Sequence, residues 1–119
     1  MLVLICDDEA PIRTLFRMAF EDEGAEVVEA VDGNDCIACV ERHTPDVVIL
    51  DLFMPERDGM ATLPELRRRC PHAVVLVVSG QAPVDVFEQT RRRGATACFD
   101  KVSFLPRIPE LVARYGSPV

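Results

Sequence analysis

Residues 47–55 read VVILDLFMP. Four apolar residues run straight into Asp51, and a loop with proline follows. An unbroken apolar run of this length reads as a strand covered on both faces, the pattern of a parallel sheet. A carboxylate at the end of such a strand either points at solvent or is used.

Outward from this stretch, the same alternation recurs. Strands are predicted at 2–6, 25–30, 46–50, 73–80 and 95–99. Helices fall between them. The first begins with Pro11 in its opening turn and carries Ile12, Leu15, Phe16, Ala19 and Phe20 as a stripe, with Gly24 past its end. Others are predicted over 32–43, from the 54–59 loop to about Cys70 with Pro64 inside, over 82–94, and from about Ser103 to Tyr115. Five βα units with short connections imply one α/β domain over residues 1–119, a parallel sheet with helices on both faces.

The bulk properties agree. The chain has 119 residues and is 49% hydrophobic, enough for one core. No stretch approaches the ~18 apolar residues of a membrane span. Cys6 is followed at once by Asp7, Asp8 and Glu9, unlike a secretory leader, so the expected location is cytoplasmic. Five cysteines fit a reducing compartment better than a disulfide framework. Cys36 and Cys39 form CIAC well inside a predicted helix, and read as two small buried thiols rather than a redox pair. The net charge of −7 argues against a nucleic-acid surface. It is uneven: residues 1–60 hold fifteen acids and four bases, which hints at a bound cation.

The strands of a parallel sheet end on a common edge, and ligands bind there where the strand order reverses. Strand one delivers Asp7 and Asp8, strand three Asp51, strand four Ser79 and Gly80, strand five Asp100 and Lys101. Carboxylates within ~6 Å of each other raise one another's pKa, and a divalent cation removes that penalty. Hard oxygen donors suit Mg²⁺ or Mn²⁺. Lys101 is the only lysine among the 13 basic residues. A compact ammonium suits a small anion beside a metal better than a guanidinium fork does.

In CDDE after strand one, LDLFMPERDG around Asp51, VVSG at strand four and a lysine after strand five, the chain resembles the receiver domain of two-component response regulators. The resemblance covers nearly the whole chain. It implies a flavodoxin-like three-layer (βα)5 fold with a five-stranded parallel sheet, order 2-1-3-4-5. It implies Asp51 as phosphoacceptor, Mg²⁺ bound by Asp8, Asp7, Asp51 and the backbone carbonyl of Phe53, Lys101 paired with a phosphoryl oxygen, and Ser79 donating its hydroxyl to another. Gly80 then leaves room for the phosphoryl group. The partners implied are a histidine kinase or histidine phosphotransfer domain and a downstream protein or an output domain. A second copy of the chain is a further candidate, through the region of the second RRR at 91–93. Neither direct nucleic-acid binding nor a membrane is expected. The chain would catalyse only its own phosphorylation and dephosphorylation.

Three positions depart from the family's pattern. Val102 stands where a proline, commonly after a cis bond, follows the lysine; a trans Lys101–Val102 bond and a shifted loop are expected. Cys98 stands where an aromatic switch residue is usual, and Phe99 should face the other side of the strand. Phe53 stands two residues after the acceptor, where many relatives are polar, and should obstruct attacking water. Two other readings compete: a receiver-like binding module that works without phosphorylation, and a Mg²⁺-dependent phosphohydrolase with an aspartyl-phosphate intermediate.

Overall fold

The computed structural model describes residues 1–54, 59–80 and 84–116. The expected position of the 54–59 loop and of the 117–119 end therefore lies largely outside the described residues. Five strands are seen: β1 (Leu2–Cys6), β2 (Glu26–Ala30), β3 (Val47–Asp51), β4 (Val74–Ser79) and β5 (Ala97–Asp100). All pair in parallel in the order β2-β1-β3-β4-β5, the expected topology. The central strands carry the continuous apolar runs and are buried along nearly their whole length. The edge strands β2 and β5 are more polar and only partly covered.

Each face of the sheet has its own core. On one side, α1 (Ala10–Asp22) and the C-terminal helices contribute Phe16, Phe20, Phe104, Ile108 and Leu111 to Val3, Ile5, Ile49, Leu76 and Val78. The Phe104 ring lies 5.1 Å from Phe16 and 5.4 Å from Phe99. On the other side, α2 (Gly33–Arg42) and α3 (Gly59–Arg69) cover Leu4, Cys6, Val48, Leu50, Val75 and Val77. Cys36 and Cys39 are buried there, as their helical context implies. Period-2 alternation along β5 sends Cys98 to this face and Phe99 to the other.

The helix after β2 is capped by Asp32, whose carboxylate accepts from Asp35 N at 2.8 Å. Helix α1 ends where Gly24 takes a positive φ of 88°. Helix α3 runs through Pro64 without a break. The last helix differs from expectation. No loop precedes it: α5 (Lys101–Phe104) starts directly after β5, continues through a 3₁₀ turn (Leu105–Arg107) and passes into α6 (Ile108–Tyr115). The reason is local. Asp100 caps it by accepting from Val102 N, and the Lys101–Val102 peptide is trans, so nothing forces a detour. Val102 is left 83% exposed.

The lower part of the sheet is tied together by one side chain. Arg67, at the end of α3, donates to the Gly94 carbonyl at 2.7 and 3.0 Å, to the Ala73 carbonyl at 2.7 Å and to the Pro71 carbonyl at 3.1 Å. A guanidinium fork thus satisfies three carbonyls from two connections at once. Arg67→Met is expected to lower unfolding stability by about 2–3 kcal/mol, since each charged hydrogen bond contributes ~1.5–3 kcal/mol and only part is regained from water. Arg68→Met, on the exposed side, is expected to change it by less than ~0.5 kcal/mol. Urea unfolding of both variants checks the contrast.

Candidate functional site

Strand register builds the site. Cys6 lies opposite Leu50, so Asp7 emerges level with Asp51; Asp51 lies opposite Val78, and Ser79 opposite Asp100. Asp7 is further fixed by its own N–H, which donates to Ala30 O at 3.1 Å, and by Oδ1, which accepts from Glu9 N at 2.9 Å. Asp51 Oδ1 accepts from Phe53 N at 3.3 Å. Asp7 is 1% exposed and Asp51 4%, whereas Asp8 is open to solvent.

Carboxylate oxygens of Asp7, Asp8 and Asp51 lie within 4.8 Å of one another. Lys101 reaches back from the first turn of α5 into this cluster. Its Nζ is 2.8 Å from Asp7 Oδ2, 3.4 Å from Asp51 Oδ2 and 3.8 Å from Glu9 Oε1. Asp7 Oδ2 is buried, and the ammonium of Lys101 is the charged group set against it. One ammonium against three or four carboxylates leaves the pocket negative. A hard divalent cation fits what remains: three carboxylates whose oxygens lie within 4.8 Å of one another, with one ammonium among them.

The electrostatics follow from this crowding. Burial, and then the charge of Asp7, push the Asp51 carboxyl up to about 6, although Lys101 and the Phe53 N–H pull it down. Burial disfavours the Lys101 charge, but its contact with Asp7 and the fields of Asp51 and Glu9 outweigh this and raise its pKa above the usual lysine value. The ammonium is therefore firmly held.

A cavity of about 330 Å³ opens over Asp51, lined by Glu9, Asp51, Phe53, Gly80 and Lys101. A Cβ at Gly80 would meet no described atom within 4 Å. Ser79, at the end of β4, is 1% exposed, and its Oγ has no hydrogen-bond partner among the described residues. A buried hydroxyl without a partner is disfavoured unless a ligand supplies one.

A model of the response regulator receiver domain matches residues 3–113. The chain belongs to this family. The receiver is similar to the receiver domain of NtrX from Brucella abortus, at 30% identity and a TM-score of 0.87, covering 95% of this chain and 96% of that one. It is similar also to the signal receiver domain of a putative response regulator, NarL, from Mycobacterium tuberculosis, at 29% identity and 0.86, covering 95% and 93%. The Vibrio cholerae chemotaxis protein CheY4 shares the fold at 24% identity and 0.87, with 96% and 97% covered. A longer NtrX chain is covered over 26% of its length.

Of the residues singled out in the sequence, the receiver fold brings Asp7, Asp8, Asp51 and Lys101 together. It lines the same cavity with Phe53 and Gly80, and sets Ser79 at the adjoining strand end. Asp100 does not join them; it caps α5. Three contributors carry little sequence signal. Glu9 reads as one more acid of an acidic turn. Gly59 approaches the Asp51 backbone so closely that a Cβ would lie 2.3 Å from Asp51 O. Arg13 donates to the Asp7 carbonyl. Among the described residues, no helix is long and apolar enough to cross a membrane.

Proposed function

We propose that residues 1–119 form one receiver unit of a two-component system, phosphorylated on Asp51. The observation that carries the reading is the position of Lys101 Nζ between Asp7 and Asp51, in a cluster where oxygens of Asp7, Asp8 and Asp51 lie within 4.8 Å of one another. The phosphodonor is a histidine kinase or histidine phosphotransfer protein. An Asp51 carboxylate oxygen attacks phosphorus, an acyl–phosphate bond forms, and the bond from phosphorus to the donor's imidazole nitrogen breaks. Asp7, Asp8, Asp51 and the Phe53 carbonyl would hold Mg²⁺, which when bound neutralises charge on the phosphoryl oxygens. Lys101 then turns part of its charge from Asp7 to a phosphoryl oxygen, and the Ser79 hydroxyl finds the acceptor it lacks. The receiver acts on no external substrate beyond this transfer and its reversal.

The route from site to partner differs from an aromatic switch. Cys98 Sγ lies 2.8 Å from Thr90 Oγ1 and 3.5 Å from the Phe87 carbonyl, so β5 is already linked to α4 (Val84–Arg92) by small groups. Movement of the Ser79 segment reaches α4 through the chain itself, and a partner or an output domain reads α4.

Incubation with Mg²⁺ and acetyl phosphate tests the reading. The intact mass is expected to rise by one phosphate in wild type and to stay unchanged in Asp51→Asn. A wild-type chain that gains none, at neutral pH with both reagents, would instead favour a module that works without phosphorylation.

Phe53 is 61% exposed and lines the cavity over Asp51, a place from which its ring would hinder water. Phe53→Asn is expected to speed loss of the phosphate severalfold, because a polar side chain there admits and orients water. Unchanged decay in a discharge assay would count against the shielding role.

A further inference from the structure

Asp8 is the most exposed of the three clustered carboxylates, and no hydrogen bond or ion pair holds its side chain among the described contacts. Its position depends on the Asp7–Asp8 peptide. That peptide is planar, so the direction of its oxygen sets where the chain enters Asp8. The oxygen is held by one side chain: Arg13 Nη1 donates to Asp7 O at 2.7 Å. Arg13 in turn donates through Nε to Glu29 Oε1 of β2 at 2.9 Å, and its side chain is only 14% exposed. Glu29 also receives Arg17 Nη1 at 2.6 Å, but Arg17 makes no contact with the Asp7–Asp8 turn among the described residues.

We propose that Arg13 is a positioning residue for the acidic pocket, clamping the Asp7–Asp8 peptide between α1 and β2 so that Asp8 stays beside Asp7 and Asp51. The proposal rests on the reading that this pocket takes up Mg²⁺. Arg13 touches neither the metal position nor Asp51 and is not a catalytic residue. Its guanidinium is nevertheless a cation close to a cation site. On Coulomb grounds alone, removing it would strengthen Mg²⁺ binding. A clamp has the opposite sign: removing it lets Asp8 wander and weakens binding, as loss of the groups that orient metal ligands does by about 10–100-fold elsewhere.

The sign of the change therefore separates the two roles. Mg²⁺ is titrated calorimetrically into the whole metal-free chain, with unfolding temperatures measured alongside. Arg13→Met is expected to bind Mg²⁺ about tenfold more weakly. Arg13→Lys keeps the charge and the aliphatic stem but cannot span both acceptors, and is expected to be weakened too; it serves if the Met variant does not fold. Arg17→Met removes the other cation on Glu29 and is expected to stay within about twofold of wild type. Equal or tighter binding by a folded Arg13 variant overturns the clamp, as does an equal loss in Arg17→Met. A wild-type chain that binds no Mg²⁺ overturns the clamp together with the metal reading, so the two failures are told apart by the wild-type titration.

Discussion

Asp51→Asn is expected to make the metal-free receiver more stable at neutral pH, by about 2 kcal/mol. The Asp51 carboxyl is pushed up to about 6 in the folded chain, against about 3.9 in an unfolded one. Between those values the folded state keeps a proton that the unfolded state has lost. Stability then falls as pH rises. The loss begins near pH 4, is complete above about pH 6, and persists at pH 7. A carboxyl raised that far above its unfolded value costs the folded state at most about 3 kcal/mol. That net cost already includes the attraction of Lys101, and the amide must itself be buried at the same place, which brings the expected gain below the ceiling. At pH 4 and below, wild type and variant should be nearly equal. Urea unfolding in chelator at pH 4 and pH 7.5 measures this difference directly. Added Mg²⁺ should narrow or reverse the order, because it binds the folded wild type and not the unfolded chain. A variant less stable than wild type at pH 7.5, or a gap that ignores pH, would contradict the crowding of charge around Asp51.

Gly59→Ala carries the second large effect. The added methyl would stand 2.3 Å from the Asp51 carbonyl oxygen and 2.7 Å from Leu52 Cα. Both are backbone atoms at the end of a fully buried strand, so no side-chain rotation relieves the clash. Gly59 N also donates to Leu52 O at 2.8 Å, which holds the two segments at this separation. Either α3 moves away from the strand end, losing the burial of Leu63 and Leu66, or the strand end shifts and takes Asp51 with it. A loss of about 3 kcal/mol is expected, at the upper end for overpacked sites. Phosphorylation by acetyl phosphate should fall at least tenfold at concentrations where the variant is still folded. Gly80→Ala is the matched control: its methyl meets no described atom, so stability should stay within about 0.5 kcal/mol. A Gly59→Ala chain as stable and as readily phosphorylated as wild type would show that the close approach does not matter.

The layout of this receiver was legible because its strongest constraints are periodic. Unbroken apolar runs in β1, β3 and β4 announce strands covered on both faces, and parallel alignment then sends every strand's last residues to one edge. Asp7, Asp8, Asp51, Ser79 and Lys101 could be named from that rule and from the resemblance together. Pairwise geometry across distant elements was not legible. Nothing about Gly59 in sequence tells that it lies against the Asp51 backbone. Arg13 reads as a polar position of an amphipathic helix, yet its partners come from β2 and the turn after β1. The last helix begins at Lys101 rather than Ser103 because Asp100 caps it, and an aspartate at a strand end is equally at home as a ligand. At the departures Cys98 and Val102 the structure has a thiol small enough to sit against Thr90, and a trans bond after which the helix starts at once.

The central claim is that a phosphoryl group on Asp51 is held by Lys101 and Ser79 while Asp7 and Asp8 share a cation with it. A crystal structure of the chain with Mg²⁺ and beryllofluoride, a mimic of the phosphoryl group, tests it most directly. The account predicts beryllium bonded to an Asp51 oxygen, fluorine atoms within hydrogen-bond distance of Lys101 Nζ and Ser79 Oγ, and the metal on Asp8 and Asp51. Beryllium on another carboxylate, or Lys101 still paired only with carboxylates and Ser79 still without a partner, would contradict it.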